Sequence, residues 1–325
     1  MELSGLGALN VALKEVMALD EKVVCVGEDI GAKGGAWGYF SGLYQQYGRE
    51  RVIQTPICEY GYTGLANGMA YGGYRPVVEY MFADFCALAF DPIVNQAAKA
   101  RYNSNGNCNL AITYMLPEGG GGRSGSQHSQ SVEAWFANIP GLKIVAPTSP
   151  ADLRYFLKAA VTDDDPVVFI FSRACAMGMK EDVNTEDRSI PSLKNAAKIV
   201  KEGADLTVIA WHRPLNNVIA VTKEIERETG KTIEIIDPRV FCPFDLDTVV
   251  RSVKKTKKAL IAHEAPERGG FGTLISAWIS ENCFAELAAP VRRIGGYNTC
   301  IPFGQVEEYA FPQTDDLKAG MRSLL

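Results

Sequence analysis

Two α/β domains, each a mostly parallel sheet layered between helices, are what this sequence predicts, and three observations predict it. The length of 325 residues exceeds the usual single-domain size. Short β-branched runs alternate with longer amphipathic stretches, the pattern of βαβ units. A polar, aperiodic stretch from Ala176 to about Lys198, carrying Lys180-Glu181-Asp182, Glu186-Asp187-Arg188 and Pro191, interrupts that alternation. The expected organisation is a domain over residues 1–178, a linker over 179–198 and a second domain over 199–325.

In the first domain, apolar runs predict strands at Lys22 to Val26, Pro76 to Tyr80, Asn109 to Tyr114, Leu142 to Val145 and Pro166 to Phe171. Helical spacing predicts helices at Gly5 to Leu19, Gly64 to Gly73, Ala87 to Tyr102 and Pro150 to Thr162. Ser149 is the expected N-cap of the last. The second series reads strand at Leu206 to Ala210, helix at Asn216 to Glu228, strand at Thr232 to Ile236 and helix at Asp245 to Ser252. A strand at Ala259 to Ala262 and a helix at Thr273 to Cys283 follow, with no repeat of solenoid length.

A hydrophobic fraction of 47% with 22% charged residues is ordinary for a globular protein and excludes disordered, collagenous and coiled-coil classes. A net charge of -5, with no stretch interleaving Lys or Arg with aromatics, excludes a nucleic-acid surface. No apolar run approaches a membrane span, and Met1-Glu2-Leu3-Ser4 lacks a signal-peptide pattern, so a cytosolic protein is expected. Eight cysteines stand far apart without a CxxC and mostly among apolar neighbours, which predicts reduced, structural thiols. Cys58 differs in standing beside Glu59.

Two residues stand out chemically. Glu59 follows a Pro-containing turn in Thr55-Pro56-Ile57-Cys58-Glu59-Tyr60-Gly61 and precedes a Gly- and Ala-rich helix. Taken alone, that setting reads as a surface glutamate in a first helical turn, favoured by the helix dipole. His128, one of three histidines, ends a Gly-rich loop, Gly119-Gly120-Gly121-Gly122-Arg123-Ser124-Gly125-Ser126-Gln127-His128. A loop of that composition can move, and His128 reads equally as catalytic or structural. The glycines also suggest a phosphate cradle, but neither the GxxxxGK[ST] nor the GxGxxG spacing fits.

Taken together, the segments resemble the β subunits of thiamine-diphosphate-dependent 2-oxo-acid dehydrogenases, the pyruvate, branched-chain and acetoin types. The resemblance covers nearly the whole chain. It runs through Gly27-Glu28-Asp29, Thr55-Pro56-Ile57-Cys58-Glu59, Pro76-Val77-Val78-Glu79-Tyr80-Met81, Gln127-His128-Ser129-Gln130, Ala134-Trp135-Phe136, Ile139-Pro140-Gly141-Leu142-Lys143, His263-Glu264-Ala265-Pro266 and Gly269-Gly270-Phe271-Gly272. It implies a transketolase-like pyrimidine-binding domain followed by a transketolase C-terminal-like domain.

The resemblance also implies roles. Glu59 would hydrogen-bond N1′ of the cofactor's aminopyrimidine and favour the imino tautomer, helped by a pKa raised on burial. Phe85 would stack on the pyrimidine, Glu28 would lie near the cofactor and the subunit interface, and His128 would serve the substrate carbonyl or lipoyl acylation. A structural potassium would be held at Ile112, Ala160, Val161, Asp163 and Asp165. The chain contains no Gly-Asp-Gly motif with a following Asn, so an α subunit would supply Mg2+ and the diphosphate anchor in an α2β2 heterotetramer. The implied activity is an oxidoreductase that decarboxylates a 2-oxo acid and acylates the lipoyl-lysine of an acyltransferase in a multienzyme complex.

Departures keep alternatives open. Met115-Leu116-Pro117-Glu118 replaces the Arg-Gly-Pro of many pyruvate-type relatives, removing a positive charge that Arg123 could supply. Gly-Arg before Gln-His-Ser-Gln and Glu-Ala-Trp-Phe is closer to acetoin-type subunits. Trp211-His212-Arg213-Pro214 replaces a small Gly-containing turn, without a sequence-level reason. A split transketolase-like transferase would need sugar-phosphate-binding Arg and His residues that have no place in this sequence, which holds only three histidines. Retention of Glu59 and His128 speaks against a degenerate, non-enzymatic subunit.

Overall fold

The computed structural model describes residues 1–325. In chain order the strands are β1 (Glu2–Ser4), β2 (Val23–Glu28), β3 (Val52–Thr55), β4 (Arg75–Glu79), β5 (Thr113–Glu118), β6 (Lys143–Val145), β7 (Val167–Ser172) and β8 (Lys180–Asp182). They continue with β9 (Lys198–Lys201), β10 (Leu206–Ala210), β11 (Ile233–Asp237), β12 (Val240–Cys242), β13 (Ala259–Pro266) and β14 (Arg292–Gly296). A seven-stranded sheet has the order β12-β6-β7-β5-β4-β2-β3, and a five-stranded sheet the order β14-β13-β10-β11-β9. Both are parallel except at one edge each, where β12 runs antiparallel to β6 and β9 antiparallel to β11. The two-residue periodicity of the strands distributes their side chains between two faces. Cys25, Val77, Met115 and Phe169 enter a cluster beneath helices Gly5–Leu19 and Pro150–Thr162. Val26, Val78, Leu116 and Ile170 point the other way, into a cluster of 37 buried residues that also takes in Ile209, Ile236 and Ile261 of the second sheet and Trp211 and Phe271 beside it. One core therefore joins both sheets, and a third cluster covers the outer face of the second sheet under helices His212–Thr229 and Thr314–Arg322.

Local chemistry explains the elements read correctly. Ser4 accepts from the Gly7 amide at 3.1 Å and caps Gly5–Leu19, while Ser149 accepts from the Asp152 amide at 3.2 Å and caps Pro150–Thr162. Gly5 lies where the two helices and the Cys175–Ala176 turn converge, since a Cβ there would sit 2.6 Å from the Ala176 Cα.

The differences have nonlocal causes. The expected helix over Ala87 to Tyr102 is broken into a 3₁₀ turn (Ala83–Ala89), a π turn (Pro92–Gln96), a second 3₁₀ turn and a short α-helix (Ala100–Asn103). Pro92, without an N–H, removes one rung where the winding changes. Strand β8, inside the stretch read as linker, pairs antiparallel with β1, joining Ser4 to Lys180. Strand β12, from the C-terminal half, extends the first sheet through Val240 on Val145 and Cys242 on Ile144. No helix is long and apolar enough to cross a membrane.

Gly141 adopts φ +99, and a Cβ there would overlap the carbonyl oxygen of Ala98. Gly141→Ala is therefore expected to cost about 3 kcal/mol of unfolding free energy, read from the urea midpoint. A loss below about 0.5 kcal/mol would mean that the loop has room to adjust.

Candidate active site

In an open parallel sheet, ligands bind beyond the carboxyl ends of the strands. Here β2 ends on Glu28, β3 on Thr55, β4 on Glu79, β5 on Glu118 and β7 on Ser172. Register sets Glu28 beside Thr55 and Glu118 beside Ser172. Three carboxyl groups thus line one edge of a buried sheet. Only Glu28 was singled out from sequence, although Val78-Glu79 and Pro117-Glu118 show the same signal, an acid closing an apolar run.

Glu59 opens helix Glu59–Tyr71 and is only 5% exposed, so the surface reading of its local setting is overturned. Its flanking Ile57 and Tyr60 are by contrast 81% and 58% exposed. Burial, then the negative charges of Glu59 and Asp29, push Glu28 above the usual carboxylate range. The buried Tyr62 phenol is held neutral, first by desolvation and then by Glu28, Glu59 and Glu79, and its hydroxyl has no partner. Glu79 accepts from the Tyr39 hydroxyl at 3.3 Å, yet desolvation outweighs that bond and pushes it up to about 8. Glu59 and Glu28 thus lie together in one acidic cluster around Tyr62.

Phe85 and His128 meet in a second cluster. Phe85 lies on the turn Ala83–Ala89, against which helix Glu59–Tyr71 packs. Its ring is edge-on to His128 at 5.3 Å, and Phe82 contacts His128 at 4.5 Å. His128 Nδ1 is buried without a hydrogen-bond partner, an atom in want of a ligand or water. Gln130 donates to Asp84 at 2.7 Å, tying the His128 loop to the turn bearing Phe85. Arg123, considered from sequence as a carboxylate partner, is exposed. Arg173 lies buried between the Trp37 and Phe82 rings and donates to the carbonyls of Gly119 and His128.

The unexplained Trp211-His212-Arg213 segment is an interdomain bolt. Trp211 Nε1 donates to Glu133 at 2.6 Å, His212 Nδ1 lies 3.2 Å from Glu118, and Arg213 pairs with Glu264 and Glu308 at 2.7 Å. Trp211 also stacks on His263 at 5.4 Å. A small turn could make none of these contacts. Burial pushes Glu118 and Glu133 each to about 8 and lowers both histidines, His263 to about 4.

The expected potassium ligands are engaged by the chain's own cations. Lys143 Nζ lies 2.6 Å from Asp163 and 3.3 Å from Asp165, while Arg101 pairs with Asp165 at 2.6 Å. Arg75 donates to the carbonyls of Val161 and Asp163 at 3.5 and 3.0 Å. The Ile112 and Ala160 carbonyls accept from the amides of Val167 and Asp163. An added cation would have to compete with Lys143, Arg75 and Arg101 for these oxygens.

Two outcomes follow from this electrostatics. The folded chain keeps protons on Glu79, Glu118 and Glu133 that the unfolded chain loses above the ordinary value of 4.5, so their contribution to stability is full below 4.5, declines as pH rises, and is lost by about 8. His212 and His263 act oppositely, costing stability as pH falls below 6.5. Glu118→Gln is expected to raise the calorimetric midpoint at pH 9 by about 3 °C or more while changing it little at pH 4; a decline between these two pH values as steep as that of the wild type would clear Glu118 of that role. Exchanging sodium for potassium chloride at constant ionic strength should leave the midpoint of the chain unchanged, and a potassium-specific rise would restore the ion.

Comparison with known proteins gives the family of both domains. Residues 2–177 match the family described as Transketolase, pyrimidine binding domain, and residues 195–317 match Transketolase, C-terminal domain. The mitochondrial 2-oxoisovalerate dehydrogenase subunit beta of Dictyostelium discoideum is 42% identical over 91% of this chain and 79% of its own length. The pyruvate dehydrogenase E1 component subunit beta of Acholeplasma laidlawii is 38% identical over 98% of this chain and 97% of its own. A solved split-gene transketolase, an inactive β4 tetramer, shares the fold at a TM-score of 0.78 and 23% identity, over 99% of this chain and 98% of that one. The chain belongs to the family of β subunits of 2-oxo-acid dehydrogenases, built from transketolase-type pyrimidine-binding and C-terminal domains.

Proposed function

We propose that this chain is the β half of a thiamine-diphosphate-dependent 2-oxo-acid dehydrogenase, with an α partner in an α2β2 assembly. Together they would decarboxylate a pyruvate-type or branched-chain 2-oxo acid and pass the acyl group to the lipoyl-lysine of an acyltransferase. The observation that carries this reading is the placement of buried Glu59 beside Glu28 on the sheet edge, packed through its helix against the turn where Phe85 meets His128. Relatives of both the 2-oxoisovalerate and the pyruvate kind support a 2-oxo acid over acetoin or a sugar phosphate.

Thiamine diphosphate, when bound, supplies the electron sink for decarboxylation. Glu59 would offer its carboxyl to N1′ of the aminopyrimidine from the first turn of helix Glu59–Tyr71 and exchange a proton with it there. Phe85, half-buried, would offer a ring face that orients the planar pyrimidine. Glu28, its pKa raised by burial and then by the nearby Glu59 and Asp29, would support Glu59 from the end of β2. His128, with its Nδ1 free of protein partners, would donate to the substrate oxygen or the incoming lipoyl group. Mg2+ and the diphosphate would be held by the α subunit, and exposed Ile57, Tyr60 and Leu65 beside Glu59 suit a surface that this partner covers. Eight unpaired cysteines fit a reducing compartment such as the cytosol.

The test is co-expression with the α subunit and measurement of cofactor-dependent decarboxylation of pyruvate, 3-methyl-2-oxobutanoate and acetoin with a dye acceptor. Glu59→Ala is expected to lower kcat by at least about a hundredfold. Equal activity of the variant and wild type would sink the role of Glu59. Cleavage of acetoin alone would move the chain to the acetoin type.

A further inference from the structure

The Gly-rich loop that leads to His128 has the backbone of an anion cradle. Positive φ angles recur at alternate residues, +83 at Gly119, +96 at Gly121, +56 at Arg123 and +80 at Gly125. Such alternation turns successive amides toward one point, the concavity in which proteins hold phosphates and other anions. The point is already taken. Glu307, fully buried on the 3₁₀ turn Gly304–Ala310 of the second domain, accepts from the amides of Gly121 at 2.8 Å and Arg123 at 2.9 Å through Oε2. Its Oε1 accepts from the Ser124 amide at 3.2 Å and the Ser129 hydroxyl at 2.8 Å. Both carboxylate oxygens are doubly bonded in this sense, and all four donors belong to the segment that ends beside His128.

The surroundings extend the grip. The Gly304 amide donates to the Arg123 carbonyl at 3.2 Å, and Ser124 bridges Phe303. Gly120 and Gly125 lie against the rings of Phe311 and Phe303, where a Cβ would collide with either ring. The Arg173 guanidinium takes the carbonyls of Gly119 and His128. The loop's amides are therefore bonded to a carboxylate of the second domain and its end carbonyls to a cation of the first. Desolvation alone would raise the pKa of Glu307, but the bonds from Ser129 and the three amides outweigh it and keep the carboxylate ionised.

We propose that Glu307 is the positioning residue of the active-site loop, a carboxylate of the second domain that occupies the loop's anion cradle and thereby sets His128 against Phe82 and Phe85. The inference rests on the reading of His128 as a group that faces substrate. Glu307 itself touches no reacting atom. It makes the alignment of His128 depend on the docking of the second domain, and a misplacement of about 1 Å at such a group costs up to about a hundredfold in rate.

The test uses the full chain assembled with its α partner, and the full chain alone for hydrogen exchange. Glu307→Gln, which turns an NH2 toward amide donors, is expected to speed exchange of the peptide covering 119–130 by at least about tenfold, because these bonds are what protects it. Peptides covering β10 and β13 should not change. In the assembled enzyme kcat should fall about 10- to 100-fold, with the KM for the 2-oxo acid moving less than about threefold. Adding Glu307→Gln to His128→Ala should cost little beyond His128→Ala alone, since a residue that acts through another has nothing left to position. Should Glu307→Gln not fold, Ser129→Ala removes one donor and leaves the carboxylate, with a smaller loss in the same sense expected. Unchanged loop exchange overturns the clasp, and faster exchange with wild-type kcat overturns its role in positioning. If His128→Ala alone keeps full activity, the catalytic reading of His128 falls and positioning falls with it, while the exchange data still decide the clasp.

Discussion

Glu79, Glu118, Glu133 and Glu307 have at most 1% of their surface exposed, and a carboxyl group taken out of water costs several kcal/mol unless a proton or a set of donors goes with it. Much of the architecture around the site answers that demand. Glu79 takes a hydroxyl from Tyr39, Glu118 an amide from Val132, Glu133 the indole of Trp211, and Glu307 four donors from one loop. The first three remain short of compensation and keep their protons to about pH 8; the fourth is fully compensated and stays charged. One kind of group thus fills two roles, according to how many donors surround it.

Three contacts of these buried carboxyl groups cross between the domains. Trp211 reaches Glu133 and His212 reaches Glu118 from the second domain, while Glu307 takes the amides of the first-domain loop. The shared apolar core beneath them would permit sliding, because apolar contact is not directional. Directed polar contacts of this kind set one relative placement of the domains, and that placement carries His128 with it.

The regular elements were legible because their causes are local. Gly5–Leu19 and Pro150–Thr162 were read to the residue, each with a serine cap and an apolar stripe within the same fifteen residues. Strand β12 was not, because three residues, Val240–Cys242, become a strand only when Val145 and Ile144 present an edge from 95 and 98 positions earlier. The broken turn series from Ala83 to Asn103 looked like one helix because apolar spacing does not report changes in winding. At the site, the family pattern pointed to Glu59, Phe85, Glu28 and His128. It passed over Glu79 and Glu118 at neighbouring strand ends, although acids closing apolar runs were in view. Glu307, lying 178 positions from Ser129, carried no sequence signal at all.

By itself, then, the sequence determined the two α/β series, their caps, the apolar alternation that builds both sheets, and a glycine pattern able to turn successive amides inward. Those follow from backbone sterics and from spacings within one element. The tertiary structure decided which anion the glycines hold, that Glu59 is buried where its own heptapeptide suggested a surface, that Lys143 and Arg75 stand among the acceptors assigned to potassium, and what Trp211 and His212 are for. Each depends on charge and solvent access at a point where distant segments meet, and neither quantity exists until the chain has folded.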